Sequence, residues 1–233
     1  MKRGADRRSL DKTIDYLKKK KKILLITTST RWIGHREHPK STQLAMQIKK
    51  KLGRKAMLID ASRLNIHVCE GNVSSSGGNN CGVKAALLKD KNKNPSGLHR
   101  CWASINNKDD ELWKISKELF KSDCVIFFGS VRWGQANSIY QKLIERLTWI
   151  ENRHSTLEEE NIIKNIDAGI ILVGQNWHGK NVIKNEKAVL KDFGFDVIKD
   201  LCWNWQYTLN SDDETQKSYK NAVKEFRETF IKR

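Results

Sequence analysis

Three turn-like segments combine hydroxyl, amide and cationic side chains with glycine, and each also contains one tryptophan. They are STRWIGHREHPKST at residues 29–42, SVRWGQANS at 130–138 and GQNWHGKN at 174–181. Their tryptophans are Trp32, Trp133 and Trp177. A single tryptophan on a turn often covers the end of a core or a subunit interface. Three of them, beside glycine backbone and amide side chains, indicate a binding site for a planar heterocycle.

The first segment also carries the chemistry of an anion site. It offers hydroxyls, a guanidinium and the amides of a predicted helix start, at Ser29, Thr30, Arg31, Ser41 and Thr42. Free amides at a helix N-terminus and charge-assisted bonds from arginine both favour phosphate. Neither GxxxxGK[ST] nor GxGxxG occurs in the chain, which disfavours a P-loop nucleotidase and a dinucleotide-binding Rossmann domain.

Hydrophobic patterning predicts that these segments follow the strands of an α/β protein. Short apolar runs predict strands, at residues 22–28, 55–60, 124–129, 168–174 and 195–203. Apolar residues at helical spacing predict helices, at residues 41–53, 109–122, 138–153, 182–194 and 213–232. The alternation predicts a single domain built on a doubly wound five-stranded parallel sheet with helices on both faces. Ligands of such folds lie at the carboxyl ends of the strands, where the three segments fall.

Two further segments belong to this domain. Residues 1–21 are a basic extension predicted to be helical, and we interpret the Lys18–Lys22 run as its solvated end rather than a nucleic-acid patch.

Residues 61–108 are longer than an ordinary connection, and we expect them to form a lid or an oligomer-building arm over the ligand site of this or a neighbouring subunit. This insertion contains two histidines and three cysteines, namely His67, Cys69, Cys81, His99 and Cys101. Their spacing does not support a four-thiolate cluster, so we predict no metal ligands and keep mixed His/Cys zinc ligation as the alternative.

Composition narrows the class of protein. Among 233 residues, 44 Lys and Arg against 27 Asp and Glu leave a formal net charge of +17, which favours anionic partners. No apolar run approaches the roughly 20 residues that a membrane span needs. The basic N-terminus lacks the apolar core of a signal peptide, and five widely spaced cysteines without such a signal favour reduced thiols. We therefore expect a cytoplasmic protein with no membrane partner.

Three stretches of the chain resemble the NAD(P)H-dependent FMN reductase family of flavodoxin-like proteins. They are STR after the first strand, DDELWKISKELFKSDCVIFFGSVRWGQANSIYQKLIERL at residues 109–147, and VGQNWHGKN after the fourth strand. The middle stretch is the most specific, because the family has there a strand, Gly-Ser-Pro, an aromatic pair and a helix. This sequence departs from the pattern with Val131 in place of proline and Arg132 in place of an aromatic residue. The resemblance covers about residues 22–205 and lies near the iron-sulfur flavoprotein subgroup, without that subgroup's compact cysteine cluster.

The resemblance implies a flavodoxin-like fold that binds FMN where the strand order switches, between the first and third strands. It implies that Ser29, Arg31, Ser41 and Thr42 hold the FMN phosphate. It implies contacts with the flavin from the second and third segments, at Ser130, Val131, Arg132, Trp133, Gly134, Asn137, Gly174, Gln175, Asn176, Trp177 and Gly179. The flavin performs the redox chemistry, so no general acid or base is required of the chain.

On this resemblance we expect an FMN-dependent NAD(P)H oxidoreductase. Hydride from NAD(P)H would pass through FMN to a quinone, a free flavin, a nitro compound or a protein acceptor. His35, Arg36 and His38 either meet the 2′-phosphate of NADPH or belong to a solvated loop. The family also implies a homodimer or homotetramer.

A second class of function remains open, a basic nucleic-acid-binding protein on the same scaffold. The charge of +17 favours it. The cations are dispersed through predicted helices, however, and no helix-turn-helix or zinc-finger pattern occurs in the sequence. The sequence therefore favours the enzyme over the nucleic-acid-binding protein.

Overall fold

Five parallel strands form the central sheet. The computed structural model describes residues 3–32, 34–175, 178–209 and 213–231. The sheet strands are β1 (Ile23–Thr27), β2 (Ala56–Asp60), β3 (Cys124–Gly129), β6 (Asp167–Gly174) and β7 (Asp196–Gln206), in the order β2-β1-β3-β6-β7. A separate hairpin consists of β4 (Val131–Arg132) and β5 (Gln135–Ala136). The chain runs from β1 outward to β2 and then to β3 on the other side of β1, so the order switches between β1 and β3.

Helices cover both faces of this sheet. They are α1 (Arg7–Lys18), α2 (Lys40–Leu52), α3 (Trp102–Asn106), α4 (Leu112–Leu119), α5 (Ser138–Ser155), α6 (Gly179–Asp192) and α7 (Gln216–Phe226), which continues as a π-helix over Arg227–Ile231. Residues of α1, α2 and α7 pack against one face, and residues of α4, α5 and α6 against the other. Strands β1, β3 and β6 are buried throughout, as expected of strands covered on both sides. The predicted doubly wound five-stranded parallel sheet is confirmed.

Several element boundaries differ from the sequence prediction. Helix α4 begins at Leu112 rather than at residue 109, because the Asp110 carboxylate is engaged by Arg146 and accepts from the Leu112 amide at 3.2 Å. Helix α6 begins at Gly179, three residues before the predicted start at residue 182. Strand β7 extends to Gln206, opposite Gly174 of β6. Helix α3 and the β4–β5 hairpin were not predicted, since elements this short have too few residues to show a period.

The basic N-terminal extension packs into the hydrophobic core on the α2 and α7 side of the sheet. Asp6 and Ser9 form a capping box at the start of α1, and the helix buries Leu10, Ile14 and Leu17. Lysines that follow the helix are partly engaged, since Lys20 forms an ion pair with Asp167. Within the described ranges, no helix is long and apolar enough to cross a membrane.

The long insertion is folded onto its own subunit. The Arg146 guanidinium of α5 bonds both oxygens of Asp110, at 2.8 and 3.0 Å, and both side chains are fully buried. The same guanidinium donates to the carbonyl of His67 at 2.7 Å and to Ser104 Oγ at 2.9 Å. His99 is also buried, with Nδ1 at 2.9 Å from Ser116 Oγ of α4. Residues 61–108 are thus anchored to α4 and α5 at several points.

Candidate functional site

A cavity of about 330 Å³ opens at the carboxyl ends of β1, β3 and β6. Most of the residues predicted for a ligand site line it, namely Ser29, Thr30, Arg31, Ser41, Ser130, Val131, Arg132, Gly174 and Gln175. Residues that the sequence prediction missed complete the wall, namely Pro39, Lys40, Val173, Tyr207, Tyr219 and Val223. A volume in this range suits a small organic ligand.

Asn137 ties together the two strand ends that border the switch point. Its Nδ2 donates to the carbonyl of Thr28 at 2.8 Å, and its Oδ1 accepts from the Ser130 amide at 2.9 Å and from Thr28 Oγ1 at 3.1 Å. A Cβ at Gly129 would lie 2.9 Å from the same Oδ1, so glycine is required for this close approach. Asn137 does not line the cavity. It positions the backbone of Ser29 and Ser130, which do.

The start of α2 forms a polar wall without a side-chain cap. Pro39, Lys40 and Ser41 line the cavity, and no described side chain caps the helix at Pro39, so the first amides of α2 lie beside the cavity without a side-chain partner. Ser41 Oγ donates to Ser29 Oγ at 2.8 Å, which joins the helix start to the end of β1. Thr42 Oγ1 is buried without a hydrogen-bond partner in the described part of the chain. Hydroxyls, free amides and the positive end of the helix dipole together favour an anion at this wall.

The charges around the cavity have the same sign. Arg31 and Arg132 are exposed at its rim, and neither forms an ion pair with any residue that the structure describes. No carboxylate is among the described residues that line the cavity. Lys40 is a buried cation in the wall; it pairs with Glu37, which lies outside the lining.

Both members of the Lys40–Glu37 pair have lowered pKa values. Burial alone would raise the pKa of Glu37, but bonds from Lys40, Gln43 and Arg227 lower it to about 2. Burial lowers the pKa of Lys40, and the nearby guanidinium groups of Arg227 and Arg31 act in the same direction. An anion bound in the cavity would therefore stabilise the charged form of Lys40.

Two tyrosines close the side of the cavity near β6. The Tyr207 amide donates to the carbonyl of Gly174 at 2.8 Å, and Gln175 Nε2 donates to the hydroxyl of Tyr219. Burial raises the pKa of Tyr207, so its hydroxyl stays protonated and can donate to a ligand. The run WNWQY begins at the last residue of the predicted final strand, and its position at the carboxyl end of that strand could have indicated Tyr207 as a site residue. Tyr219 lies on α7, which only the tertiary fold brings to this edge.

The β4–β5 hairpin presents Trp133 at its tip. Trp133 and Gly134 have positive φ values of 49° and 74°, and the Trp133 side chain is 83% exposed. Trp133 and Gly134 do not line the cavity, although Arg132 beside them does. A Cβ at Gly134 would lie 3.5 Å from His178 Cδ2, so the tip of the hairpin approaches the start of α6.

The other predicted site residues are not among those that line the cavity. Thr42 is buried in the first turn of α2, next to Ser41, which does line it. Gly179 begins α6, where a Cβ would lie 2.6 Å from Asn204 Nδ2, so its role is close packing against β7. Asn176 and Trp177 lie outside the described residues. Trp32, the tryptophan of the first segment, is 70% exposed and contacts His35 edge to face.

The insertion contributes neither a wall nor a metal site in the described structure. No described residue of 61–108 lines the cavity. No three His, Cys, Asp or Glu side chains among the described ranges are placed to share a metal ion. The Cys101 thiol instead accepts from Arg146 Nη2 at 3.5 Å. The zinc alternative therefore has no ligand set in this part of the chain.

Comparison with known proteins identifies the fold. No protein-family model and no curated protein sequence matches the chain. Solved structures do match, and one is RosB with bound intermediate OHC-RP (8-demethyl-8-formylriboflavin-5'-phosphate), at 12% identity and a TM-score of 0.53 over 90% of this chain and 77% of that chain. Another is the azoreductase from Bacillus anthracis str. Sterne, at 11% identity and a TM-score of 0.52 over 89% of this chain and 95% of that chain. Similarity at these identities is a similarity of fold, and it confirms the predicted flavodoxin-like fold.

Proposed function

We propose that this chain is an FMN-dependent NAD(P)H oxidoreductase of the flavin, quinone or nitro-compound reductase type. The observation that carries the proposal is the anion-binding wall at the switch point of a flavodoxin-like sheet. Both solved structures described above share the fold; one holds a riboflavin 5′-phosphate derivative and the other is an azoreductase. The resemblance of residues 109–147 to the FMN reductase family supports the same assignment.

The residues at the start of α2 fit a phosphate monoester. Ser29, Thr30 and Ser41 supply hydroxyls, and the uncapped amides of α2 supply donors along the helix axis. The buried Thr42 hydroxyl lacks a partner that a phosphate oxygen nearby would provide. Arg31 adds an exposed guanidinium that no carboxylate neutralises among the described residues. We assign the FMN phosphate to this wall.

The backbone that follows β3 and β6 fits the edge of a flat ring. A Cβ at Gly174 would lie 2.6 Å from Val131 Cβ, so these two strand ends meet closely and leave no room for a side chain at Gly174. Ser130, Val131 and Gln175 line the cavity beside this contact and offer amide and carbonyl groups to the polar edge of the ring. We assign Trp133, at the rim, to cover or stack on the ring.

When bound, the flavin supplies the hydride and electron transfer chemistry. The task of the chain is to bind it, orient it and admit a nicotinamide on its open side. The exposed guanidinium groups of Arg31 and Arg132 favour the approach of anionic nicotinamide nucleotides. The acceptor that reoxidises the flavin is a small molecule or a protein.

Flavin binding and reduction test this proposal together. Purified protein is mixed with excess FMN, freed of unbound flavin and then titrated anaerobically with NADH or NADPH. We expect stoichiometric flavin whose visible absorbance is bleached by the nicotinamide. Protein that retains no flavin, or retains flavin that neither nucleotide reduces, would contradict the proposed function.

One observation supports the nucleic-acid alternative. Lys49, Lys50, Lys51 and Arg54 are exposed at the end of α2, and none of them forms an ion pair within the described ranges. Such a cluster can bind phosphate backbones, with an affinity that falls steeply with salt. Protein that refuses FMN but binds duplex or single strands with a steep salt slope would establish the alternative.

A further inference from the structure

A second cavity lies behind the β4–β5 hairpin, in the groove between the first turns of α5 and α6. Its volume is about 720 Å³. It is lined by Gly134, Gln135, Gln141, Glu145, Asn181, Val182, Asn185 and Glu186. None of these residues belongs to the wall of the first cavity. Arg132 lines the first cavity and Gly134 lines the second, so the two cavities meet across the tip of one hairpin.

The lining has an unusual polar composition. Four carboxamides and two carboxylates face the groove, and no Lys or Arg is among its described lining residues. Glu186 is only 3% exposed; its carboxylate accepts a hydrogen bond from Gln141 Nε2 at 3.4 Å and also interacts with the hydroxyl of Tyr140. Burial raises the pKa of Glu186 despite the nearby groups of Tyr140 and Gln141. An ionised carboxylate has about four acceptor sites, so Glu186 can accept a further hydrogen bond from a ligand in the groove.

The composition of the groove selects one class of ligand. Carboxamides both donate and accept, and carboxylates accept, so together they match hydroxyl groups, which also do both. A phosphate would be repelled by Glu145 and Glu186, and a simple cation would leave the carboxamide N–H groups unused. A sugar with free vicinal hydroxyls satisfies both kinds of side chain.

We propose that this groove binds the adenosine ribose of the nicotinamide substrate through its free 2′- and 3′-hydroxyls, and that the enzyme therefore prefers NADH to NADPH. The proposal rests on the proposed oxidoreductase function. Glu145 is the specificity-determining residue, because it is exposed in the groove and its charge opposes a 2′-phosphate. The loop with His35, Arg36 and His38 is the competing location; there His35 Nδ1 accepts from the Glu37 amide at 3.0 Å and is held within the loop.

Binding of nucleotide fragments tests the ribose site without relying on turnover. Calorimetry on the FMN-loaded protein compares ADP-ribose with ADP-ribose that carries a 2′-phosphate. We expect ADP-ribose to bind about tenfold more tightly, a difference of about 1.4 kcal/mol, since a carboxylate repels a nearby phosphate at partly exposed positions. Glu145→Gln should reduce this difference, and Glu145→Lys should reverse it. Asp192→Asn is the matched control, because Asp192 is an exposed carboxylate at the far end of α6 outside the groove.

The rates of flavin reduction separate failure of this inference from failure of the proposed function. If neither NADH nor NADPH reduces bound FMN, the oxidoreductase proposal fails and the ribose site fails with it. If both nucleotides reduce FMN but the protein prefers NADPH, the ribose site alone is wrong. It is also wrong if Glu145→Gln and Glu145→Lys leave the ratio of the two fragment affinities unchanged. A preference for NADH that Glu145→Lys reverses and Asp192→Asn preserves would establish it.

Discussion

Some side chains at the first cavity can contact the ligand directly, and others position the backbone that contacts it. Arg31 belongs to the first group, since it lines the cavity and has no carboxylate partner among the described residues. Asn137 belongs to the second, because its side chain joins the ends of β1 and β3 without facing the cavity. The two groups make different predictions for binding and for stability.

Arg31→Ala should weaken FMN binding by about tenfold to a hundredfold. A charge-assisted hydrogen bond to phosphate contributes roughly 1.5 to 3 kcal/mol, which corresponds to that change in affinity. Fluorescence titration with FMN measures the effect. Riboflavin is the control ligand, because it has the same ring without the phosphate, and its affinity should hardly change. Equal losses for both ligands would mean that Arg31 supports the loop rather than the phosphate.

Thr42→Val should separate ligand binding from stability. The Thr42 hydroxyl is buried without a described partner, so replacing it with a methyl group removes a desolvated polar atom. We expect the free energy of unfolding of the FMN-free protein to stay equal or rise. FMN affinity should fall by about tenfold or more, because a hydrogen bond to a charged acceptor contributes roughly 1.5 to 3 kcal/mol. A destabilised variant with unchanged FMN affinity would make Thr42 a purely structural residue.

At the level of elements, the insertion depends on one buried ion pair. Arg146 of α5 bonds Asp110, Ser104 and the His67 carbonyl, so it holds both ends of the segment against the helix. Arg146→Met should destabilise the protein by about 3 to 5 kcal/mol, because it leaves the Asp110 charge buried without its partner. Urea unfolding measures the loss. The double variant Arg146→Met with Asp110→Asn should recover part of it, and no recovery would contradict a charge-based role.

Some parts of the site could be predicted from the sequence of single elements, and others could not. The hydroxyls of Ser29 and Ser41 were predictable as neighbours, because strand β1 and helix α2 have clear periodicity and meet at one sheet edge. The contribution of Tyr219 was not, since α7 reaches the cavity only through the packing of its apolar face beneath the sheet. The hairpin that separates the two cavities was also missed, because strands of two residues leave no repeating pattern.

For the whole molecule, the doubly wound parallel sheet followed from the alternation of strands and helices, but the stability of the inserted segment did not. His99 is buried against Trp149, with ring centroids 5.1 Å apart, and faces Ser116, Asp110 and Arg146. Burial lowers the pKa of His99 from 6.5 to about 4. The unfolded chain therefore binds this proton first as the pH falls.

Protonation of His99 should therefore lower the free energy of unfolding as the pH falls. Its contribution to stability is complete above about pH 6.5 and is lost as the pH falls toward about 4. Between about pH 7 and about pH 5 the free energy of unfolding should fall by roughly 2 kcal/mol from this group. Urea unfolding at the two pH values measures the change, and His99→Gln should flatten it. An equal pH dependence in the variant would assign the effect to other groups.

The central claim is that the anion-binding wall and the strand ends beside it hold a flavin that accepts hydride from a nicotinamide. Anaerobic titration of the FMN-loaded protein with NADH, followed by the visible absorbance of the flavin, tests this most directly. We predict complete bleaching at an equimolar amount of nucleotide, with Arg31→Ala bleaching only in proportion to the flavin that it retains. Flavin that binds but stays oxidised in the presence of both NADH and NADPH would contradict the account.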